Sequence, residues 1–277
     1  MSESSRSGRG VNGFGLRLVV SVKVRISVIT AVFNNREMLP GALDSILSQS
    51  YPNVETLVID GASSDGTLEV LQQYRGRLSF SCSEPDRGLY DALNKGISRA
   101  SGDVIGFLHS DDVFGDSDVL ARVALAFADP EVQAVYGDLL YVRRDNLDAV
   151  VRYWSAGQFC RERLGWGWMP PHPTLYVRRE VFQRVGGFDT SYRISADYDH
   201  ILRVFSQPEL NAVYLPSVLV RMRLGGSSNR SLPNILRKSS EDYRALRENR
   251  VGGLGTLAWK NLRKVGQFLR RGSVGAA

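Results

Sequence analysis

Two adjacent carboxylates follow an apolar run, Val104–Leu108, that is typical of a buried strand. Asp111 and Asp112 come after this run, separated from it by His109 and Ser110. Ligands of α/β proteins bind beyond the carboxyl ends of parallel strands, and two neighbouring acids repel each other unless a cation joins them. A divalent metal carrying a phosphorylated substrate fits this position, because hard cations bind carboxylate and phosphate oxygens. The alternative is that the acids only cap the following turn.

A second acid ends another apolar run. Asp60 follows Val54–Ile59 and precedes Gly61. A carboxylate at a strand end can accept hydrogen bonds from the N–H groups of a nucleobase or from ribose hydroxyls. Asp-Gly is also a common turn pair. Nucleoside contact and turn formation therefore both remain open for Asp60.

Elements that could position these acids alternate through the first half of the chain. β-Branched apolar segments predict strands, and segments with helical spacing predict helices. The predicted order is strand Arg25–Ala31, helix Glu37–Ser48, strand Val54–Ile59, helix Thr67–Tyr74, strand Leu78–Cys82, helix Leu89–Ala100 and the strand that leads to the paired acids. This alternation predicts an α/β fold, a mostly parallel nucleotide-binding sheet with helices on both faces.

The second half is less regular. It predicts strands at Ala134–Tyr141, Thr174–Val177, Ala212–Pro216 and Val218–Met222, and helices at Val119–Ala128, Glu180–Val185, Ile194–Phe205 and Leu232–Arg247. The chain is therefore predicted to have three regions: a disordered N-terminal extension at 1–24, a catalytic domain at 25–231 and a basic helical C-terminal appendage at 232–277.

Composition indicates a globular protein of the cytoplasm. The chain has 277 residues, of which 43% are hydrophobic, and it contains no apolar run long enough to cross a membrane. Only Cys82 and Cys160 are present, which favours a reducing compartment. No Gly-Lys-Ser/Thr sequence occurs, so a P-loop NTPase is disfavoured.

The net charge of +6 is concentrated at the C-terminus. From residue 221 onward, thirteen Lys and Arg face three acids, a local net charge of +10 that leaves −4 for the rest of the chain. Residues Trp259–Arg271 combine cations with apolar residues at near-helical spacing, which is typical of a helix at an anionic membrane surface. A helix packed on the domain is the alternative. Nucleic-acid binding is disfavoured, because no binding motif accompanies the charge.

Four segments, taken in order, resemble glycosyltransferase family 2, inverting enzymes of the GT-A fold. They are SVITAVFNN, VIDGASSDGT, EPDRGLYDALNKGISRASGDVIGFLHSDD and GGFDTSYRISADYDHILR, and the likeness covers about Arg25 to Ser231. The later segment GGSSNRS (Gly225–Ser231) is similar to that of enzymes of bacterial capsule, exopolysaccharide and lipopolysaccharide assembly.

The resemblance implies a role for each of these segments. His109-Ser110-Asp111 stands where the family has Asp-x-Asp, so Asp111 is implied as the ligand of Mn²⁺ or Mg²⁺. Asp197 corresponds to the family's general base, whereas Asp199 better suits a helix start favoured by the dipole. The residues implied in nucleotide-sugar binding are Thr30, Asn34, Asp60, Asp86, Arg87, Asn94 and Asp112.

Three residues are candidates for the acceptor site. His172 lies between two prolines, and it could contact the acceptor or simply be held in a rigid loop. Trp166 and Trp168 lie upstream in a Gly-rich loop, where tryptophans either stack on sugar rings or anchor the loop.

The resulting hypothesis is an enzyme that transfers a sugar from a UDP-, GDP- or dTDP-sugar to a glycan or polyprenyl-linked acceptor. The expected setting is cell-surface polysaccharide synthesis, at the inner face of the plasma membrane if the tail binds lipid. A sugar-nucleotide nucleotidyltransferase is the alternative, although the segment ITAVFNNREM lacks the Gly-rich basic loop such an enzyme needs.

Overall fold

The computed structural model describes residues 23–225 and 232–268. The strands are β1 (Ile26–Val32), β2 (Val54–Asp60), β3 (Phe80–Ser83), β4 (Val104–Phe107), β5 (Val113–Phe114), β6 (Ala134–Val142), β7 (Val150–Trp154), β8 (Tyr176–Arg178) and β9 (Ala212–Arg223). The helices are α1 (Leu39–Leu47), α2 (Thr67–Tyr74), α3 (Leu89–Arg99), α4 (Val119–Ala126), α5 (Arg179–Val185), α6 (Ala196–Phe205), α7 (Leu232–Glu248) and α8 (Leu254–Phe268). Most of the predicted N-terminal extension and residues 226–231 of the GGSSNRS segment lie outside these ranges.

A single sheet runs through the molecule in the order β3-β2-β1-β4-β8-β6-β9-β5, and β7 pairs with β6. The α/β class is confirmed, but the sheet is mixed. β1 pairs in parallel with β2 and β4, and β2 pairs in parallel with β3. β8 is antiparallel to both β4 and β6. The predicted parallel order therefore holds for the first half, where helical crossovers connect the strands. After β4 the sheet combines antiparallel pairs with the parallel pair of β6 and β9.

The alternation of side chains along the central strands builds a core on each face of the sheet. Ile29 and Ala31 of β1 belong to the cluster that includes residues of α3, α5, α6 and α7. Ile26 and Val28 belong to the cluster that includes residues of α1 and α4. All seven residues of β1 are buried, which explains why five of them are apolar and none is charged.

Two strands predicted separately form one. Ala212–Pro216 and Val218–Met222 are both parts of β9, which pairs in parallel with β6. The register shifts where Gly137 faces Leu215 and Asp138 faces Val218. Pro216 lies in the extra length, where a bulge accommodates a residue that has no N–H to donate to the ladder.

The C-terminal helices pack on the domain. α7 contacts α6, and α8 contacts α7, β7 and the short 3-10 helix at Arg161–Trp166. Ala245 and Leu246 of α7 are fully buried in the cluster that contains Phe205 of α6. Along the ranges the structure describes, no helix combines the length and apolar character needed to span a bilayer.

A buried carboxylate near the start of β2 stabilises the end of the sheet that lies opposite the carboxyl ends of the parallel strands. Glu55 is 6% exposed and accepts hydrogen bonds from Ser27 Oγ, from Ser101 N at 2.9 Å and from Ser101 Oγ at 2.7 Å. Burial acts to raise the pKa of Glu55, but these hydrogen bonds and the charge of Arg25 outweigh it, and the net pKa is lowered. The ionised form is therefore favoured by folding.

We expect Glu55→Gln to lower the free energy of unfolding by about 1–3 kcal/mol at pH 7. Because the pKa of Glu55 is lowered in the folded state, this contribution is present above the pKa of the unfolded chain and disappears as the pH falls through the folded value. Urea unfolding at pH 7 and in acid should show the variant and wild type converging at low pH. If the difference in free energy of unfolding between variant and wild type were the same at both pH values, the lowered pKa of Glu55 would be contradicted. Glu69→Gln, at an exposed site of α2, is the control.

Candidate active site

The carboxyl ends of β1, β2 and β4 meet at one edge of the sheet. Asp60 is the last residue of β2, and the segment His109–Asp112 begins two residues after β4. Because these strands are parallel neighbours, the acids predicted to act together come from adjacent strands. This edge is the candidate active site.

Asp60 organises the turn that follows β2. Its side chain is fully buried and accepts hydrogen bonds from Ser63 N at 3.0 Å and from Ser83 Oγ at 2.6 Å. Ser63 Oγ donates to the other carboxylate oxygen. Asp60 therefore stabilises the turn, and its contact with a nucleoside stays a prediction.

Asp86 brings a third segment to the same edge. A Cβ built on Gly61 would lie 2.4 Å from Asp86 Oδ2, so the carboxylate can approach this backbone only because Gly61 has no side chain. The other oxygen accepts a hydrogen bond from Gly88 N at 2.8 Å. Asp86 therefore lies against the end of β2, next to Asp60.

The first loop is pinned to the second by Asn34, which adopts a φ of 48°. Its side-chain oxygen accepts from Ser64 N at 2.9 Å, and its backbone N–H donates to Ser63 Oγ at 2.8 Å. Thr30, implied as a contact of the nucleotide sugar, lies inside β1 opposite Val58 and is fully buried. The loop that carries Asn34 begins after Val32, where the pairing of β1 with β2 ends.

Two other predicted donor-binding side chains have partners within the protein. Arg87 is exposed and forms an ion pair with Asp91 at 3.1 Å, as an ordinary surface arginine can. The Asn94 amide donates to Phe188 O at 2.7 Å and accepts from Phe188 N at 2.8 Å. Asn94 thus ties α3 to the loop that leads to α6.

The two adjacent acids occupy different environments. Asp112 is 1% exposed, and its Oδ1 accepts from Arg223 N at 3.0 Å. Burial, and then the charge of Asp111, raise the pKa of Asp112 well above its ordinary value, although Arg223 opposes the shift. Asp111 is only half-buried, and its carboxylate accepts no hydrogen bond from the described residues. Of the pair, Asp111 has the more exposed carboxylate and stays the predicted ligand of a cation, whereas Asp112 Oδ2 is buried with no partner among the described residues.

Asp197 lies in the first turn of α6. The Tyr90 hydroxyl is 3.2 Å from Asp197 Oδ1 and 2.5 Å from the Ile194 carbonyl oxygen. Asp199, two residues on, is 4% exposed and bonds to Arg203 Nε at 2.8 Å, so it supports the helix from within. The same helix start therefore carries one acid that is satisfied internally and one that is half-buried at the site.

Glu241 of α7 fixes the backbone that precedes Asp197. No sequence pattern had singled out Glu241 as a site residue. Its carboxylate accepts hydrogen bonds from the N–H groups of Arg193 at 3.1 Å, Ile194 at 2.8 Å and Ser195 at 2.9 Å. The only signal in the sequence was two acids, Glu241 and Asp242, within an otherwise basic stretch. α7 therefore helps to position Asp197.

His109, His172 and Asp197 line one cavity of about 410 Å³. Burial lowers the pKa of His109, and the charges of Asp111 and Asp197 both act to raise it, so both carboxylates lie within electrostatic reach of this imidazole. His172 is 6.0 Å from His109 between ring centroids, and burial lowers its pKa to about 4. The C-terminal helices complete the wall with Lys238, Asp242 and Lys260.

The two loop tryptophans differ in exposure. Trp168 is 2% exposed, donates from Nε1 to Ala156 O at 2.8 Å and packs edge-on against Phe205. Trp168 therefore anchors the loop, which is one of the two roles considered for it from the sequence. Trp166 is 60% exposed and contacts Trp259 of α8.

The side chains that the structure describes do not by themselves form a closed metal site. Within residues 23–225 and 232–268, no group of three or more His, Cys, Asp and Glu side chains could hold a metal ion. Asp111 nevertheless offers a carboxylate oxygen, the kind of ligand that suits Mn²⁺ or Mg²⁺, and His109 two residues before it could add a nitrogen. A diphosphate would have to supply further oxygens.

Comparison with known proteins agrees with this arrangement. Residues 27–193 match the family model described as Glycosyl transferase family 2. A PGL/p-HBAD biosynthesis glycosyltransferase of Mycobacterium tuberculosis is 34% identical over 208 residues, which are 73% of this chain and 78% of the relative. A putative teichuronic acid biosynthesis glycosyltransferase of Bacillus subtilis is 39% identical over 93 residues, 32% of this chain and 37% of the relative.

A solved structure supports the fold. A mannosyltransferase of Pyrobaculum calidifontis, in complex with GDP-Man and Mn²⁺, superposes with a TM-score of 0.62 at 22% identity, covering 90% of this chain and 70% of that one. The comparisons give no support to the nucleotidyltransferase alternative. The chain belongs to glycosyl transferase family 2 and is a nucleotide-sugar-dependent glycosyltransferase of the GT-A type.

Proposed function

We propose that this enzyme transfers a sugar, with inversion, from a nucleotide sugar to a saccharide or lipid-linked saccharide acceptor in cell-surface polysaccharide synthesis. The carrying observation is that His109, two residues before Asp111, lines the same cavity as Asp197. Asp111 would then act near the diphosphate and Asp197 near the attacking hydroxyl, within one site. The relative named for teichuronic acid biosynthesis supports the cell-surface setting.

The donor would lie along the ends of β1, β2 and β4. We propose Asp60 and Asp86 at the nucleoside, with Arg87 near the base or the phosphates. Thr30, Asn34, Asn94 and Asp112 would act mainly by shaping the pocket, since the side chains of Asn34, Asn94 and Asp112 bond to other parts of the chain. The base, whether of a UDP-, GDP- or dTDP-sugar, is left open, although the mannosyltransferase neighbour binds GDP-Man.

Asp111, together with His109, would hold Mn²⁺ or Mg²⁺. When bound, such a cation stabilises the negative charge that develops on the departing nucleoside diphosphate. The Mn²⁺ of the mannosyltransferase neighbour supports this assignment. The buried Asp112 would fix the segment that carries Asp111 through its bond to the backbone of Arg223.

Asp197 would act as the general base. Its carboxylate takes the proton of the acceptor hydroxyl while the hydroxyl oxygen forms a bond to the anomeric carbon. The bond from that carbon to the diphosphate oxygen breaks on the opposite side, so the configuration inverts. Base catalysis of this kind contributes about 10²–10⁴ in rate.

The C-terminal helix would contact an anionic membrane that carries the acceptor. Residues 249–277 contain six Lys and Arg and no acid. Leu254, Trp259 and Leu262 of α8 are exposed, and the exposed Trp166 lies beside Trp259. Exposed apolar and aromatic side chains next to cations favour a peripheral position at the cytoplasmic leaflet.

Asp197→Asn should lower the rate of transfer by about 10²–10⁴ and leave donor affinity nearly unchanged, because the amide cannot take the proton. The donor is first identified by a thermal-shift screen of UDP-, GDP- and dTDP-sugars with Mn²⁺. Release of the nucleoside diphosphate then reports turnover. Retained turnover removes Asp197 from the mechanism, and Asp148→Asn, at an exposed surface acid, is the matched control.

Asp111→Ala should abolish the increase in donor affinity that Mn²⁺ confers. Thermal shifts with the nucleotide sugar, with and without Mn²⁺, measure this coupling, since ligand binding raises stability by mass action. Asp145→Ala, on an exposed turn, should behave as wild type. Unchanged wild-type activity in the presence of a chelator would refute the metal assignment.

Glu241→Ala should lower kcat about tenfold to a hundredfold while the KM for the donor is unchanged, because the backbone in front of Asp197 loses its three hydrogen bonds. Glu241→Gln keeps one acceptor oxygen and should retain intermediate activity. Arg247→Ala, at an exposed position of the same helix, is the control. Equal kcat in all variants would show that α7 does not position Asp197.

A further inference from the structure

Several residues that line the cavity at Asp197 carry buried polar atoms that have no partner among the described residues. The Tyr198 hydroxyl, Asp242 Oδ1 and both ring nitrogens of His172 accept or donate no hydrogen bond in the part of the chain described. Tyr198 and Asp242 are each 2% exposed, and His172 is 6% exposed. Buried polar groups are nearly always hydrogen-bonded in proteins. Their concentration in one cavity indicates a ligand that brings hydroxyl groups of its own.

Two of the charges that line this cavity compensate each other. Asp242 forms an ion pair with Lys260 at 2.9 Å, and the Lys260 ammonium lies 3.0 Å from the ring centroid of Tyr198. This contact fixes Asp242 Oδ2 on the lysine and leaves Oδ1 as a rigid acceptor. Because the pair is neutral, the carboxylate can receive a hydroxyl without requiring a charged ligand.

Much of the remaining lining is apolar and aromatic. It includes Leu139, Tyr141, Trp154, Met169 and Met222. Arg152 lies over the rings of Tyr141 and Trp154, at 4.7 and 5.6 Å from their centroids, which holds both aromatic side chains in place. Apolar walls with a few fixed polar groups are typical of sites that orient a small molecule.

We propose that this cavity binds the acceptor as an uncharged, hydroxylated ring with an apolar face, a neutral hexoside. Tyr198 and Asp242 hydrogen-bond hydroxyls other than the one deprotonated at Asp197, and so select which hydroxyl reacts. The cavity volume of about 410 Å³ suits a ligand of this size. The assignment rests on the proposed glycosyl transfer and adds that residues of the C-terminal helices choose the acceptor.

A pair of tyrosine variants tests the proposal. Tyr176, like Tyr198, has a buried hydroxyl with no partner among the described residues, but it does not line the cavity. Both Tyr198→Phe and Tyr176→Phe remove an unsatisfied buried group and should keep or raise the melting temperature. Only Tyr198→Phe should weaken acceptor binding, by roughly fivefold to tenfold for one lost hydrogen bond.

Binding is measured on the full chain, saturated with the nucleoside diphosphate chosen by thermal shift. The probes are 4-nitrophenyl hexosides of the gluco, galacto, manno and rhamno series, detected by saturation-transfer NMR. A glucuronide and glucose 6-phosphate are the charged counterparts. We expect neutral hexosides to bind wild type and Tyr176→Phe, and to bind Tyr198→Phe more weakly.

The outcomes separate this proposal from the proposed function. Equal acceptor affinity of Tyr198→Phe and wild type would overturn the role of Tyr198. Binding of the charged probes alone, or of none, would overturn the acceptor class while donor binding still stands. Failure of every nucleotide sugar to bind wild type would instead refute the proposed function.

Discussion

One carboxylate couples the C-terminal helices to the candidate base. Glu241 accepts three backbone N–H groups from residues 193–195, immediately before the helix that carries Asp197. Such hydrogen bonds to an ionised acceptor are stronger than neutral ones. Because Tyr90 holds the same backbone at Ile194 O, the position of Asp197 depends on α3 and α7 together. A segment that the sequence marked as an appendage thus becomes part of the site.

Burial gives chemically identical side chains different tasks. Asp112 is enclosed and bonded to the backbone of Arg223, whereas the preceding Asp111 keeps its carboxylate available. The same separation occurs between Asp199, which pairs with Arg203, and Asp197. In both cases the enclosed acid bonds to a residue beside it, and the other acid keeps the more exposed carboxylate.

The local elements of the first half were predictable, because hydrophobic period and turn residues act over short distances. The helix at Thr67–Tyr74 has the predicted bounds, and β4 ends just before the paired acids as expected. The missed elements are β5, which has only two residues, and β7, whose five residues are all half-buried. The antiparallel placement of β8 was not predictable, since it rests on pairing with β4 and β6, which are distant in the chain. Tyr176 of β8 packs against Gly106 of β4, where a side chain would clash.

The sequence by itself determined the family, the α/β class and the acids at the strand ends, because these follow from residue order and local periodicity. Only the tertiary structure decided which acid of each pair is enclosed, that Trp168 lies in the core while Trp166 is exposed, and that Asp242 and Lys260 join the cavity of Asp197. The physical reason is that burial and hydrogen-bond partners depend on contacts between residues far apart in the chain. Glu241 and Ser195, for example, are separated by 46 positions and no local pattern connects them.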